Sequence, residues 1–222
     1  MPNKVMLIGA GSGIGQAVAK DLDEQGWLVY GTYRSDSSAF RGEHTMGIAG
    51  DMTFDVRDRR AIGDHMRTLA PLDSVIWCVG AVEPKPLIDT DTDEAREGME
   101  VNYLAAHEMI KVALELAVPK VVVLTSSAGL TARPGWTTYS AAKAALCNLV
   151  ESVAPEFDYY GGKVFNIAPG RCATALRARL APTEDPNSIM QPLEVAKVIS
   201  FCLSDYGDVL ATYPIRVHGG AY

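Results

Sequence analysis

At 222 residues and 48% hydrophobic content, the chain can bury one sizeable core and is short for two, so a single domain spanning residues 1–222 is expected. A net charge of −7 argues against a nucleic-acid or anionic-membrane surface, both of which need clustered Lys and Arg, and leaves small-molecule work as the better fit. No apolar stretch reaches membrane-spanning length, Cys78, Cys147, Cys172 and Cys202 lack metal-ligand spacing, and no secretory signal precedes the first strand-like run, so a reduced cytoplasmic protein without metal is expected.

Val5-Met6-Leu7-Ile8 is an apolar run broken at once by Gly9-Ala10-Gly11-Ser12-Gly13-Ile14-Gly15, after which Ile14, Val18 and Leu22 recur at helical spacing. The pattern predicts strand, tight turn and helix. Such a turn lets backbone approach a pyrophosphate closely while the helix N-terminus offers free N–H groups, which makes Gly9, Gly11, Ser12, Gly13, Ile14 and Gly15 candidate dinucleotide ligands. Gly26 ends the helix and Leu28 to Tyr33 reads as the second strand. An acidic side chain after this strand holds the ribose 2′-hydroxyl of NAD, whereas an Arg accommodates the 2′-phosphate of NADP. Arg34 therefore points to NADP(H), and Asp36 is the residue that could turn the choice to NAD(H).

Ser35 to Gly50 reads mainly as loop and leads to Phe54-Asp55-Val56. Ala61 to Leu69 suits a helix, and Val75 to Val79 a buried strand ending at Gly80. Thr92 to Leu116 carries a long helical pattern through Met99, Tyr103, Ala106 and Ile110; Asn102 inside it is a poor helix-interior residue and asks for a reason. Val121 to Leu124 is a buried-type strand that puts Ser126 at its carboxyl end. Tyr139 and Lys143 stand four apart in an Ala-rich run and share one helix face. A neighbouring ammonium is expected to lower the phenol pKa from its usual value near ~10, so that Tyr139 exchanges a proton with a substrate oxygen that Ser126 also reaches. Pro155 is expected to kink or end this helix. Val164 to Gly170 follows as strand and turn, and the segment from Arg171 to Gln191 offers Arg171, Arg177 and Arg179, which could meet a carboxylate or phosphate but more commonly are solvated. Leu193 to Leu203 suits a helix, with a last strand from Ile215.

The Gly-x-x-x-Gly-x-Gly of the first turn, a serine thirteen positions before Tyr139, Tyr-x-x-x-Lys itself, and the Pro169-Gly170 turn fall in the order of the short-chain dehydrogenase/reductase family, which this chain resembles over nearly its whole length. The resemblance implies an α/β Rossmann-type three-layer sandwich with a mostly parallel sheet of about seven strands, and hydride transfer between NADP(H) and a small carbonyl or alcohol. It implies Tyr139 as general acid/base, Ser126 as stabiliser of the developing oxyanion, and Lys143 as the cation that lowers the tyrosine pKa and binds the nicotinamide ribose. Asn102 matches the fourth catalytic residue, which links the lysine to solvent through a backbone kink and a water. Ser127 is the residue that a one-place shift of register would substitute for Ser126. Tyr33 occupies the acid's place after the second strand, with Arg34 next. Asp55 and Val56 match the adenine contact, a helix cap being the other reading of Asp55. Gly80, Pro169, Gly170 and Thr174 match further cofactor positions, Thr174 and Ile167 beside the carboxamide, while Trp136, Cys172 and Glu83 match the pocket wall. Gly219-Gly220 matches the family's closing pair.

Two departures stand out. The family's Asn-Asn-Ala-Gly is replaced by Trp77-Cys78-Val79-Gly80, so hydrogen bonds that tie the central sheet must be replaced or lost, and Cys78 reads as a small buried residue. Phe165 sits where an Asn is usual, with Asn166 one place late. Relatives pair subunits along the helices of Asn102 and Tyr139, and the Ala-rich face from Ala141 to Ala145 suits that, so a homodimer or homotetramer is expected. Two other classes share the fold: non-redox enzymes such as dehydratases or epimerases, and dinucleotide-sensing modules, which often lose the tyrosine or lysine that this chain keeps.

Overall fold

The structure is a computed structural model that describes residues 1–34 and 48–218, and for residues 48–51 the backbone alone. In chain order it runs β1 (Lys4–Ile8), α1 (Gly13–Glu24), β2 (Leu28–Tyr33), β3 (Ile48–Thr53), α2 (Arg59–Leu69), β4 (Ser74–Trp77), α3 (Thr92–Met99), a π-turn (Glu100–Leu104), α4 (Ala105–Glu115), β5 (Lys120–Leu124), α5 (Ser127–Leu130), α6 (Thr137–Tyr159), β6 (Lys163–Pro169), α7 (Ala175–Leu180), α8 (Pro192–Leu203) and β7 (Ile215–Val217). The seven strands form one sheet in the order β3-β2-β1-β4-β5-β6-β7, every neighbouring pair parallel.

Strands buried on both faces read as near-continuous apolar runs. Val5 to Ile8, Val75 to Trp77 and Val121 to Val123 all have no solvent exposure. One face of the sheet packs against α1 and α8 through Val18, Leu22, Val195 and Ile199. The other packs against α2, α4 and α6 through Ile62, Met66, Met109, Leu146 and Val150. The chain leaves β1 toward β3 on one side and returns to β4 on the other, so the strand order reverses between β1 and β4. Ligands of open α/β sheets bind in the crevice that such a reversal opens at the strands' carboxyl ends.

Four expectations are corrected. β3 begins at Ile48, within the stretch read as loop, and β4 ends at Trp77, so Cys78 to Gly80 lie past the strand. The long helical pattern continues from Thr92 to Glu115, with one departure: Glu100–Leu104, around Asn102, forms a π-turn. Pro155 does not end helix α6, which continues for four more residues: Pro155 is exposed, where solvent can take the carbonyl left without a donor, while Ala154 and Phe157 hold the helix to the core. Asp36, Gly219 and Gly220 lie outside the described residues. Among those described, no helix is long and apolar enough to cross a membrane.

Candidate active site

The turn after β1 is built on glycine geometry at two points. Gly9 has φ of +91°, a conformation other residues rarely adopt, and a Cβ on Gly15 would lie 2.2 Å from the Gly9 carbonyl oxygen. Ser12 caps α1, its Oγ accepting the Gly15 N–H at 2.8 Å. The first amides of a helix have no intrahelical acceptor, and Gly13 and Ile14, which begin α1, line the cleft. Thr174, the N-cap of α7, sits against Gly13, whose added Cβ would meet the threonine side chain at 2.8 Å.

Opposite this turn, β5 delivers Ser126 in extended backbone, where it caps α5 by accepting the Ala128 N–H at 3.1 Å. Its hydroxyl favours the ionised form of the Tyr139 phenol, with which it shares the cavity. One helical turn on, Lys143 is fully buried, its Nζ donating to the carbonyls of Val79 and Leu124 at 3.1 Å each and lying 5.9 Å from the Tyr139 ring centroid. Burial pushes Lys143 down to about 8. The phenol pKa is not lowered on balance: burial pushes Tyr139 up from its ordinary value, opposed by Ser126 and by the charge of Arg133.

Asn102 is buried in the π-turn rather than facing solvent. It accepts the Ala81 N–H at 2.9 Å and donates to the carbonyls of Ala81 at 2.8 Å and Gly98 at 2.9 Å. Gly80 lies between it and the lysine, since a Cβ there would be 3.6 Å from Lys143 Nζ and 3.7 Å from Asn102 Oδ1. These contacts hold the strand end that Trp77-Cys78-Val79 leaves without asparagines, together with Cys78 N–H donating to Ile8 O at 2.8 Å. Burial pushes the Cys78 thiol up to about 12, which makes it inert. The displaced Asn166 is used as well: its Oδ1 accepts from Thr125 Oγ1 at 2.7 Å and ties β6 to the end of β5.

A cleft of about 830 Å³ extends from Gly9, Gly11 and Ser12 past Tyr33, Arg34, Asp55 and Val56 to Gly80, Asn102, Trp136 and Tyr139. An adjoining cavity of about 300 Å³ holds Ser126, Lys143, Pro169, Gly170, Cys172 and Thr174. The sequence-predicted catalytic and cofactor residues among those described thus line one of two adjoining spaces, except Gly15, which is buried behind the turn, and Ile167, which is buried in the core. Asp58 rather than Asp55 caps α2. Asp55 receives Arg57 Nη2 at 2.6 Å and Nε at 3.0 Å, which hold its carboxyl below the ordinary value, and Arg57 also reaches Glu97 at 2.8 Å. The three loop arginines are paired internally: Arg171 and Arg177 with Glu184 at 2.8 and 2.5 Å, Arg179 with Glu83 at 2.6 Å and with Val82 O at 2.7 Å.

Sequence reasoning missed Arg133. Its Nη2 donates to Ser127 Oγ at 3.2 Å, and its guanidinium lies 5.9 Å from the Trp136 ring centroid. The available signal was a cation three residues before an aromatic, between the serine and the tyrosine. We expect Ser126→Ala to cut turnover roughly 10²–10³-fold, as loss of one oxyanion donor does, and Ser127→Ala to retain most of it. Steady-state kinetics on the pair is the check, and the reverse pattern would overturn the Ser126 assignment.

The short chain dehydrogenase family model matches residues 3–185. The chain is 25% identical over 240 residues to the 3-oxoacyl-(acyl-carrier-protein) reductase FabG of Haemophilus influenzae, across 100% of this chain and 99% of FabG. It is 28% identical to Protein FixR of Bradyrhizobium diazoefficiens, across 100% of this chain and 87% of FixR. Among solved structures, ElxO with NADP bound superposes with a TM-score of 0.85 at 22% identity, covering 97% of each chain. BdcA in complex with NADPH superposes with a TM-score of 0.86 at 22% identity, covering 99% of this chain and 95% of BdcA. These structural likenesses carry the fold, and the sequence match over most of the length carries the rest: the chain belongs to the short-chain dehydrogenase family.

Proposed function

We propose that this chain is an NADP(H)-dependent oxidoreductase that interconverts a small carbonyl compound and its alcohol. The observation that carries the reading is the meeting of Ser126, Tyr139 and Lys143 in a cavity that also holds the Gly11 to Ile14 turn. The residues fit a dinucleotide. The backbone at Gly9 and Gly15 leaves no room for a Cβ, the Gly13 and Ile14 amides suit a pyrophosphate, and Asp55, Val56 and Arg34 line the far end of the cleft. When bound, NADPH supplies the hydride.

The chain's own residues supply the rest. Ser126 donates a hydrogen bond to the substrate oxygen as charge builds on it. Tyr139, whose raised pKa keeps its proton on at neutral pH, passes that proton to the same oxygen. Lys143 remains a cation below about 8 and stabilises the phenolate that results. Asn102 holds the Val79 to Ala81 segment on which Lys143 is anchored and serves proton supply to it. The reading includes a cytoplasmic setting, in keeping with four unpaired, buried cysteines. It also includes a homodimer or homotetramer paired along α4 and α6, where Ala141 and Ala144 face outward.

Titration with NADPH and NADH, followed by nicotinamide fluorescence, is the test. Arg34 at the end of β2 is exposed, lines the cleft, and its charge helps hold Asp55 down. A charge-assisted contact to a 2′-phosphate gives roughly a 10–100-fold preference for NADPH. ElxO and BdcA, bound to NADP and NADPH in their solved structures, support that choice. Arg34→Ala is expected to narrow the ratio. A wild-type preference for NADH would move the selector to Asp36, and binding of neither would overturn the reading.

A further inference from the structure

The catalytic end of the cleft carries a charge imbalance that the composition hides. The chain is acidic overall, yet the cavity that holds Ser126, Tyr139 and Lys143 is lined by Arg133, Arg171 and Arg177 and, among the described residues, by no aspartate or glutamate. Arg171 and Arg177 share Glu184, and Arg177 is joined through its backbone N–H to Thr174, on the Gly13 side of the cavity. Arg133 belongs to the other side, with Ser127 and Trp136. Among the described residues no carboxylate lies within ion-pair distance of it.

Arg133 is nevertheless held. Ser127 Oγ takes one of its N–H groups at 3.2 Å, and the Trp136 indole supports the guanidinium at 5.9 Å. That indole meets the Tyr139 ring edge-on at 5.8 Å, so a single ring separates the cation from the phenol. The charge is felt there, since Arg133 opposes the upward push of burial on Tyr139. A guanidinium resting on an aromatic face keeps its remaining N–H groups in a planar fork that matches a carboxylate. Neither hydride transfer nor the proton step uses this group, which is exposed to solvent yet braced by an indole and a hydroxyl on the wall of the catalytic cavity.

We propose that Arg133 anchors an anionic group of the substrate, and that the substrate class is a carbonyl compound bearing a carboxylate a short carbon chain away. The carbonyl half rests on the reductase reading above; the anionic half stands on Arg133 and is tested separately. Pyruvate, acetoacetate and levulinate, each beside its methyl ester, step the carboxylate away from the ketone one carbon at a time. Calorimetric titration of the protein in the presence of NADP⁺ measures their binding without turnover.

At least one acid is expected to bind roughly 10–100-fold more tightly than its ester, and the ratio of kcat/KM for acid over ester with NADPH is expected to follow. Arg133→Gln, which keeps a donor for Ser127, should bring the two within about twofold, and Arg133→Lys should restore part of the gap. The ratio within each variant cancels any change that Arg133 makes to Tyr139 itself. Acids that bind no tighter than their esters, or a preference that survives Arg133→Gln, would overturn the anchor and leave the reductase reading standing. An Arg133-dependent preference with no NADPH oxidation on any carbonyl would do the opposite, keeping the anchor and removing the reductase.

Discussion

Replacing Tyr139 by Phe is expected to lower turnover by roughly 10²–10⁴-fold while leaving NADPH affinity within a small factor of wild type. The change removes one oxygen and keeps the ring, so the edge-on contact with Trp136 at 5.8 Å and the seat beneath Lys143 Nζ remain. Ser126 still caps α5 through Ala128, so the strand end that carries it has no cause to move. What is lost is the proton donor at the substrate oxygen, and a loss of this size corresponds to about 3–5 kcal/mol of transition-state stabilisation. NADPH absorbance for turnover and fluorescence titration for binding read the two quantities apart. A dinucleotide-sensing module would show no turnover to lose, and an epimerase or dehydratase would lose product formation without net NADPH oxidation. Full activity in Tyr139→Phe would remove the tyrosine from the mechanism and the proposed reaction with it.

The parts of this molecule that could be read in advance are those set by short-range pattern. Apolar runs such as Val121 to Val123 became strands buried on both faces, and the four-residue spacing of Tyr139 and Lys143 put both on one helix face beside Ser126. The glycine turn was legible because φ of +91° at Gly9 and the contact of Gly15 with the Gly9 carbonyl leave no other residue a place. What could not be read depends on partners distant in sequence. Arg179 meets Glu83 across 96 positions, so an arginine that looked available for a ligand is already neutralised. The upward push on the tyrosine pKa comes from burial, which is not visible in a spacing. Pro155 is tolerated because its face of α6 is exposed, a fact of packing rather than of helix propensity. Arg133 was passed over for the same reason: its meaning lies in the indole beneath it and in the pairing of the other arginines.

Lys143→Met is expected to abolish most activity, roughly 10²–10³-fold, while leaving stability near pH 7 little changed. The ammonium is fully buried and has no carboxylate partner among the described residues, so its charge is held by two carbonyls at 3.1 Å against the cost of desolvation. With its pKa taken from 10.5 to about 8, the buried charge costs about 3 kcal/mol at neutral pH. Methionine removes that cost but orphans the Val79 and Leu124 carbonyls, at ~1–3 kcal/mol each, so near pH 7 the two effects roughly cancel. The pH dependence does not cancel. Between about 8 and 10.5 the unfolded chain holds a proton at this site that the folded chain has released, so wild-type stability rises with pH relative to the variant, by about 3 kcal/mol over the window. Cys78, Cys172 and Cys202, pushed up to about 12, 11 and 12, act the other way above about 9, because the unfolded thiols ionise first. They are common to both proteins, so the difference in denaturant midpoint between wild type and variant, followed from pH 7 to 10, isolates the lysine. A difference that grows with pH supports a buried, charge-strained Lys143 ready to give up its proton. A flat difference would mean that the ammonium keeps its ordinary pKa, so that Lys143 would hold the phenolate as a permanent cation and not as one ready to give up its proton.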